Sequence, residues 1–202
     1  MFQPTAWLEH PVFYGCVQEL FVPQSCRRIL LDRYIAPQSE HRFLDLGCGT
    51  GLILGYLPSL DYWGIDSNPD YIRYAQKKYG TRGRFICSDL CGIPWPVQGK
   101  FDCVMAIGLL HHLSDGMVRG VLSRAKDFLA PKGKLVTVDG CFEEKQSPLA
   151  KRLLQMDRGK YVRHLDEYVA LAKPIFNQTR WTVERRLLRV PYSHLVLEMT
   201  AE

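Results

Sequence analysis

A glycine-rich turn preceded by an aspartate carries the most specific chemistry in this sequence. The turn spans Asp45 to Gly51 and lies between a short apolar run and a helical pattern. In open α/β sheets, ligands bind just beyond the carboxyl ends of strands. Glycines allow close approach of the backbone to a ligand, while the Asp45 carboxylate repels a phosphate and attracts an ammonium group. The turn therefore predicts a nucleotide-like ligand that carries a positive charge.

Two further carboxylates follow the next two apolar runs. Asp66 ends the run Gly64–Ile65–Asp66, about twenty residues beyond the turn, where a carboxylate can accept hydrogen bonds from a ribose diol. Asp89 ends the following run and can accept from an exocyclic amine such as that of adenine. Together with Asp45, these residues predict an aminoacyl nucleoside site.

Two adjacent histidines follow the fourth apolar run. His111 lies on the cleft side of the predicted fold, so it is our candidate general base, and His112 is a candidate substrate contact. The alternative is a strand-to-helix turn whose imidazoles cap or pack locally. Joint binding of one metal is disfavoured because neighbours on a helix do not share a face.

A basic segment, Asp157 to His164, follows the fifth apolar run. Arg158, Tyr161 and Arg163 are candidate substrate contacts there, because arginine suits bidentate binding of carboxylate or phosphate. An anionic substrate would dock at such a segment. The alternative is an ordinary solvated charged surface.

The elements that position these residues alternate in the order βαβα. Five apolar runs predict buried parallel strands, at Phe43 to Leu46, Tyr62 to Ile65, Arg84 to Cys87, Phe101 to Ile107 and Lys134 to Val138. Helical patterns lie between them at Leu52 to Leu57, Pro69 to Tyr79 and Asp115 to Leu129.

The remaining segments surround this core. Residues 1–42 predict a helical cap, residues 140–175 a substrate-side insertion with a polar start, and residues 176–202 a terminal hairpin with strands at Arg180 to Val190 and Tyr192 to Thr200. The prediction is one 202-residue α/β domain, with core 43–139 and a doubly wound, mostly parallel seven-stranded sheet. Its last strand is antiparallel, and helices cover both faces.

Composition excludes several classes of protein. A formal charge of +5 permits an anionic partner without indicating nucleic acid. No apolar run is long enough to span a bilayer, and the first residues lack the pattern of a signal peptide, so we expect a cytoplasmic location. The seven cysteines are odd in number and several lie in apolar runs, which favours reduced thiols and no metal site.

The chain resembles the class I S-adenosylmethionine-dependent methyltransferase family over about residues 42–139. The matching segments are Leu44–Gly51, Gly64–Ser67, Ser88–Leu90, Phe101–Leu113 and Leu129–Leu135. The resemblance implies a Rossmann-like fold, S-adenosylmethionine as cofactor, and transfer of its methyl group to an acceptor.

The resemblance also implies roles for individual residues. The glycine turn would hold the methionine part, Asp66 the ribose hydroxyls, and Asp89 with Leu90 the adenine. Ile107 and Gly108 would border the methyl-transfer cleft, and Tyr14 would close over the cofactor. The implied cofactor-binding residues are Tyr14, Asp45, Gly47, Cys48, Gly49, Gly51, Asp66, Ser67, Asp89, Leu90 and Ile107.

The acceptor is predicted by elimination. The Pro-Pro-aromatic motif of nucleic-acid base methylases is missing after the fourth strand, where this chain has Ala106–Ile107–Gly108–Leu109. We therefore expect O- or N-methylation of a small molecule by a monomer or homodimer, with no nucleic acid and no membrane insertion. Two alternatives stay open: a catalytically silent protein that binds S-adenosylmethionine, and a nicotinamide-dependent oxidoreductase. The second is disfavoured because the third glycine of its fingerprint would fall at Leu52.

Overall fold

A computed structural model describes residues 22–92, 94–157 and 159–200. Within these residues the strands form one sheet in the order β3-β2-β1-β4-β5-β8-β7, and β6 pairs with the far end of β5. The strands are β1 (Arg42–Leu46), β2 (Asp61–Asp66), β3 (Gly83–Cys87), β4 (Phe101–Ile107), β5 (Leu129–Phe142), β6 (Arg163–His164), β7 (Gln178–Glu184) and β8 (His194–Thr200).

The pairing is parallel from β3 through β5, and β8 is antiparallel to both of its neighbours. The described α-helices are α1 (Gln24–Leu30), α2 (Pro69–Tyr79), α3 (Asp115–Phe128), α4 (Pro148–Gln155) and α5 (Leu165–Ala172). A π-helical turn at Leu31–Ile35 continues α1, and short 3₁₀ turns occupy Leu52–Tyr56 and Leu110–His112.

The central strands of the sheet are buried on both faces because their residues alternate between two cores. In β4, Val104 and Ala106 join the core packed by α3 and α5. Their neighbours Cys103 and Met105 join the core packed by α1 and α2. This arrangement confirms the predicted doubly wound, mostly parallel sheet with an antiparallel last strand.

Local signals explain why α2 has the bounds that the sequence predicts. Asn68 caps the helix by accepting hydrogen bonds from the backbone nitrogens of Asp70 and Tyr71 at 2.9 and 3.3 Å. Pro69 occupies the first turn, where its missing N–H costs no hydrogen bond, and two lysines lie in the last turn.

Several predicted bounds need correction, including the strand predicted at Lys134 to Val138, which spans Leu129–Phe142. The segment predicted as a helix from Leu52 to Leu57 forms only a 3₁₀ turn. The strand predicted from Arg180 to Val190 ends at Glu184, because the Glu184 carboxylate accepts the backbone N–H groups of Arg185 and Arg186 and turns the chain away. The strand predicted from Tyr192 begins at His194.

The insertion after β5 has structure that the sequence analysis did not predict. Its helix α4 begins at a Ser147–Pro148 pair, and the Ser147 hydroxyl accepts the Ala150 N–H at 3.2 Å. Among the described helices, none is long and apolar enough to cross a membrane. The division of the chain into cap, core, insertion and hairpin stays a prediction.

Candidate active site

The glycine turn curls around the end of β2. Gly47, Gly49 and Gly51 all have positive φ, at 72, 53 and 70°. The backbone nitrogens of Gly47 and Cys48 donate to the Ile65 carbonyl oxygen at 2.8 and 3.0 Å. A Cβ at Gly51 would lie 2.8 Å from the Phe85 ring, so both the backbone conformation and the packing require glycine here.

A cavity of about 130 Å³ lies against this turn. Asp45, Gly47, Cys48, Gly49 and Ile107 line it, as the sequence analysis expects for cofactor contacts. The other described residues that line it are Val22, Arg27, Leu30, Thr50, Leu52 and Ile53.

Asp45 places a carboxylate in a buried position. Its side chain is 3% exposed and accepts the Tyr62 hydroxyl at 2.6 Å. Burial raises the pKa of Asp45 to about 7, against the effect of the Tyr62 hydrogen bond, and the charge of Asp66 adds to the rise. A cation beside Asp45 would stabilise its charged form.

Asp66 holds the turn in place. One carboxylate oxygen accepts the Gly49 N–H and the other accepts the Asn68 N–H, both at 2.8 Å. Each oxygen keeps a second lone pair, so the carboxylate can still accept from a diol. Its predicted contact with ribose stays a prediction.

The remaining expected cofactor residues lie along the same edge of the sheet. Ser67 is exposed beyond β2, and Leu90 is buried in the core. Asp89 is exposed, and one of its oxygens accepts the Cys91 N–H at 2.9 Å. Tyr14 lies outside the described residues.

Arg27 is a site residue that the sequence analysis missed. It is 6% exposed on α1, lines the 130 Å³ cavity and donates to the Tyr56 hydroxyl at 2.9 Å. With Leu30, Leu31 and Tyr34 it occupies positions i, i+3, i+4 and i+7 of a buried stripe. An arginine on an otherwise apolar helical stripe was the available signal.

A second cavity, of about 350 Å³, shares Val22, Arg27, Leu30 and Ile107 with the first. The rest of its described lining divides into an apolar and a polar group. Its other apolar residues include Val138, Leu187 and Leu188. Its polar side chains, apart from Arg27, are His111, His112, Asp157, Tyr192 and His194.

His111 lies between two carboxylates. Its Nδ1 is 2.8 Å from Asp139 Oδ1, which also accepts the His111 backbone N–H at 3.1 Å. Its Nε2 is 3.5 Å from Asp157 Oδ1. Burial favours neutral imidazole, but the hydrogen bond and charge of Asp139, with the charge of Asp157, outweigh it and raise the pKa of His111.

His112 has a different environment. It is exposed, lines the 350 Å³ cavity, and its ring centroid lies 4.1 Å from that of His111. Partial burial and the nearby charge of His111 lower the pKa of His112, against the smaller effects of Asp157 and Asp139. The two histidines are therefore driven toward opposite protonation states.

The basic segment packs against these histidines. We call Asp157 and residues 159–163 the clamp segment. Asp157 accepts the Tyr192 hydroxyl at 2.6 Å and the Gly159 N–H at 2.8 Å, and the Tyr161 N–H donates to the His111 carbonyl oxygen at 2.9 Å. A Cβ at Gly159 would collide with the His111 ring.

The predicted substrate role of Arg163 is not supported, because its guanidinium is fully engaged. It is 7% exposed, and five hydrogen bonds match its five N–H donors. The acceptors are Asp115 Oδ1, twice, and the carbonyl oxygens of Leu110, Leu113 and Tyr161. Arg163 thus fixes the turn that carries both histidines.

The other two predicted substrate contacts of this segment are Tyr161 and Arg158. The Tyr161 side chain is 42% exposed and is not among the described residues that line either cavity. Arg158 lies outside the described residues.

The sequence analysis also missed Tyr192 and His194. Their rings lie 4.7 Å apart, and both line the 350 Å³ cavity. Burial lowers the pKa of His194 to about 4, so the ring is neutral at pH 7. Both residues reach the site only because β8 enters the sheet beside β5, a long-range pairing without a local sequence signal.

Comparisons with known proteins agree with this geometry. A family described as "Methyltransferase domain" matches residues 43–133. The chain is 33% identical over 160 residues to an uncharacterized protein of Synechococcus sp. (71% of this chain, 36% of that one). It is 27% identical over 122 residues to the uncharacterized methyltransferase YodH of Bacillus subtilis (58% and 51%). The chain thus spans only part of the length of these two curated relatives.

A solved structure extends the match to the fold. The TehB-like SAM-dependent methyltransferase of Corynebacterium glutamicum aligns with a TM-score of 0.63 at 19% identity, over 88% of each chain. The sheet order, the glycine turn and the family match all indicate the same fold. Residues 43–133 therefore match the methyltransferase-domain family, and the chain has the fold seen in this S-adenosylmethionine-dependent methyltransferase structure.

Proposed function

We propose that this chain transfers a methyl group from S-adenosylmethionine to an oxygen or nitrogen atom of a small molecule. The observation that carries the proposal is the pair of adjoining cavities, which share Val22, Arg27, Leu30 and Ile107. One is lined by the glycine turn and Asp45, and the other is lined by a cluster of titratable side chains.

The residues around the smaller cavity fit the charges of the cofactor. The ammonium group would pair with Asp45 and the carboxylate with Arg27, each opposite in charge to its partner. The ribose would bind the free lone pairs of Asp66, and the adenine would lie near Asp89 and Leu90. Bound S-adenosylmethionine supplies an electrophilic methyl group with a neutral thioether as leaving group.

The larger cavity supports an acceptor with an apolar body and a polar head. A volume of about 350 Å³ lies at the small end of the range for ligand pockets. Apolar walls would hold the body of the acceptor, and the histidines and Tyr192 would orient the reacting group. Much of the rate enhancement would come from holding that group about 3 Å from the methyl carbon.

Isothermal titration calorimetry with S-adenosylmethionine, S-adenosylhomocysteine and NAD⁺ tests cofactor binding. We expect binding of the first two and none of NAD⁺. A panel of hydroxylated and amino metabolites, assayed by release of S-adenosylhomocysteine, then tests transfer. Tight cofactor binding without turnover across the panel favours the silent binding protein, and binding of NAD⁺ alone would overturn the proposal.

A further inference from the structure

The starting observation is that both ring nitrogens of His111 face carboxylates. Carboxylates only accept hydrogen bonds, so each nitrogen interacts favourably only when it carries a proton. Nδ1 is 2.8 Å from Asp139 Oδ1, and Nε2 lies within ion-pair distance of Asp157 Oδ1 at 3.5 Å. This geometry favours imidazolium at His111 and leaves no ring lone pair to accept a proton from an acceptor.

The burial of Asp139 also favours imidazolium at His111. Its side chain is 2% exposed, and its Oδ2 has no hydrogen-bond partner among the described residues. An ionised carboxylate in such a place needs a cation beside it, since an unpaired buried charge is strongly destabilising. His111, once protonated, would be that cation at Asp139, 2.8 Å away.

The surrounding elements hold His111 in this position. Gly159 packs against its ring, Tyr161 binds its carbonyl oxygen, and Arg163 binds the carbonyl oxygens of Leu110 and Leu113. The described residues of the clamp segment form no such hydrogen bond with His112. His112 is exposed at the cavity, and partial burial and the nearby charge of His111 lower the pKa of its ring.

We propose that His112 is the base that accepts the proton of the methyl acceptor and that His111 is a positioning residue held as a fixed imidazolium. This inference rests on the proposed function. The acceptor hydroxyl gives its proton to a ring nitrogen of His112 while its oxygen lone pair forms the new bond to the methyl carbon. The carbon–sulfur bond breaks with its electron pair remaining on sulfur. The products are a methyl ether, S-adenosylhomocysteine and protonated His112, which returns its proton to water.

The first test needs no acceptor. Imidazole ¹⁵N shifts are measured between pH 5 and 9 on the full chain, with and without S-adenosylhomocysteine. Among the described residues, the titratable and charged groups that face the two rings or line the cavity with them are Asp139, Asp157, Tyr192, His194, Arg163, Arg27 and Cys26. We expect His111 to remain doubly protonated at pH 7 and His112 to be neutral. A neutral His111 or a doubly protonated His112 at pH 7 would overturn the proposal.

A variant with little change in shape sharpens this measurement. Asp157→Asn removes one carboxylate from His111, so the pKa of His111 should fall, whereas His41→Gln, on the loop before β1, should change neither ring. Unchanged titration of His111 in Asp157→Asn would contradict the ion pair. These shifts do not depend on turnover, so their failure is distinct from failure of cofactor binding or transfer.

The second test uses an acceptor found in the metabolite panel. In the wild type, kcat/KM should rise with pH as His112 loses its proton. His112→Gln should lower kcat at least 100-fold and abolish this rise, with the Kd of S-adenosylmethionine unchanged within twofold. His111→Gln should retain the rise and move it to higher pH, because it removes the charge that keeps His112 neutral. Loss of the rise in His111→Gln and its retention in His112→Gln would assign the base to His111.

Discussion

At the scale of single residues, Asp45 is the group whose ionisation most directly links pH to cofactor binding. An ammonium group binds the carboxylate and not the carboxylic acid, and burial raises the pKa of Asp45 to about 7. We expect the affinity for S-adenosylhomocysteine to increase as pH rises from 6 to 8. Asp45→Asn should weaken binding by about 1.5–3 kcal/mol at pH 8 and remove this pH dependence, as measured by calorimetry.

The control for this prediction is Asp32→Asn, which changes an exposed carboxylate on the π-helical turn. It should leave both the affinity and its pH dependence unchanged. Equal affinity of Asp45→Asn and wild type at pH 8 would remove Asp45 from the cofactor site.

The burial of His194 should lower the free energy of unfolding in acid. Burial lowers the pKa of His194 to about 4, whereas the unfolded chain has the ordinary value near 6.5. Between these values the unfolded state binds more protons, so the free energy of unfolding should fall as pH decreases from 6.5 toward 4. His194 should account for about 2 kcal/mol of the fall between pH 7 and 5, because the shift applies over this interval.

Urea denaturation at pH 7 and 5 measures this contribution when the wild type is compared with His194→Leu. The variant should lose less stability between the two pH values than the wild type does. The contribution would be refuted by an identical loss in both proteins, whatever the absolute stability of the variant.

The candidate site was partly predictable from the sequence for a physical reason. Asp45, the glycines and Asp66 lie within a few residues of the strand ends that position them, so local sequence reveals them. The Asp157–Tyr192 and His111–Asp139 contacts join residues 35 and 28 positions apart. Such pairs are set by the sheet order, and no local pattern specifies which side chains will meet.

At the scale of elements, the clamp segment is the part of the fold that most depends on a small residue. Gly159→Ala places a methyl group against the His111 ring, so the segment must move. We expect a loss of about 1–3 kcal/mol in the free energy of unfolding. Faster amide exchange at Tyr161, whose N–H binds the His111 carbonyl oxygen, should accompany it.

Gly120→Ala is the matched control within α3. A Cβ at Gly120 meets no atom within 4 Å, and alanine favours helix over glycine. This variant should be as stable as the wild type or more stable by up to about 1 kcal/mol. If Gly159→Ala were equally harmless in both measurements, the clamp segment would not restrain His111.

The elements show where local signals suffice. Capped or strongly periodic segments such as α2 and β4 have the bounds that the sequence predicts. The region around Leu52 has apolar residues but no cap, and its backbone is constrained by the glycine turn, so one 3₁₀ turn forms instead of a helix. Glu184 ends β7 because its side chain accepts the backbone N–H groups of Arg185 and Arg186, which apolar periodicity does not report.

At the scale of the whole molecule, β8 joins the hairpin to the parallel core. Leu197 on β8 is 1% exposed, paired with Thr137 on one side and Trp181 on the other. Leu197→Ala should cost about 2–5 kcal/mol in the free energy of unfolding, since it leaves a void in the core. Thr182→Ala, on the exposed outer strand β7, should cost less than about 1 kcal/mol.

Equilibrium denaturation of both variants provides the comparison. Similar small losses at the two positions would mean that β8 contributes no more to stability than an outer strand. The sequence predicts the hairpin but not which of its two strands pairs with β5, because either strand could do so. The burial of both faces of β8 explains why β8 is the inner strand.

The position of β8 also affects how the chain folds during its synthesis. The partner that covers one edge of β5 follows it by about fifty residues, from Phe142 to His194. At a translation rate of 5–20 residues per second, roughly 3–10 s pass before that partner has been made. The nascent chain must therefore keep an open strand edge from pairing with neighbouring chains, and we expect binding by ribosome-associated chaperones to be strongest in this interval.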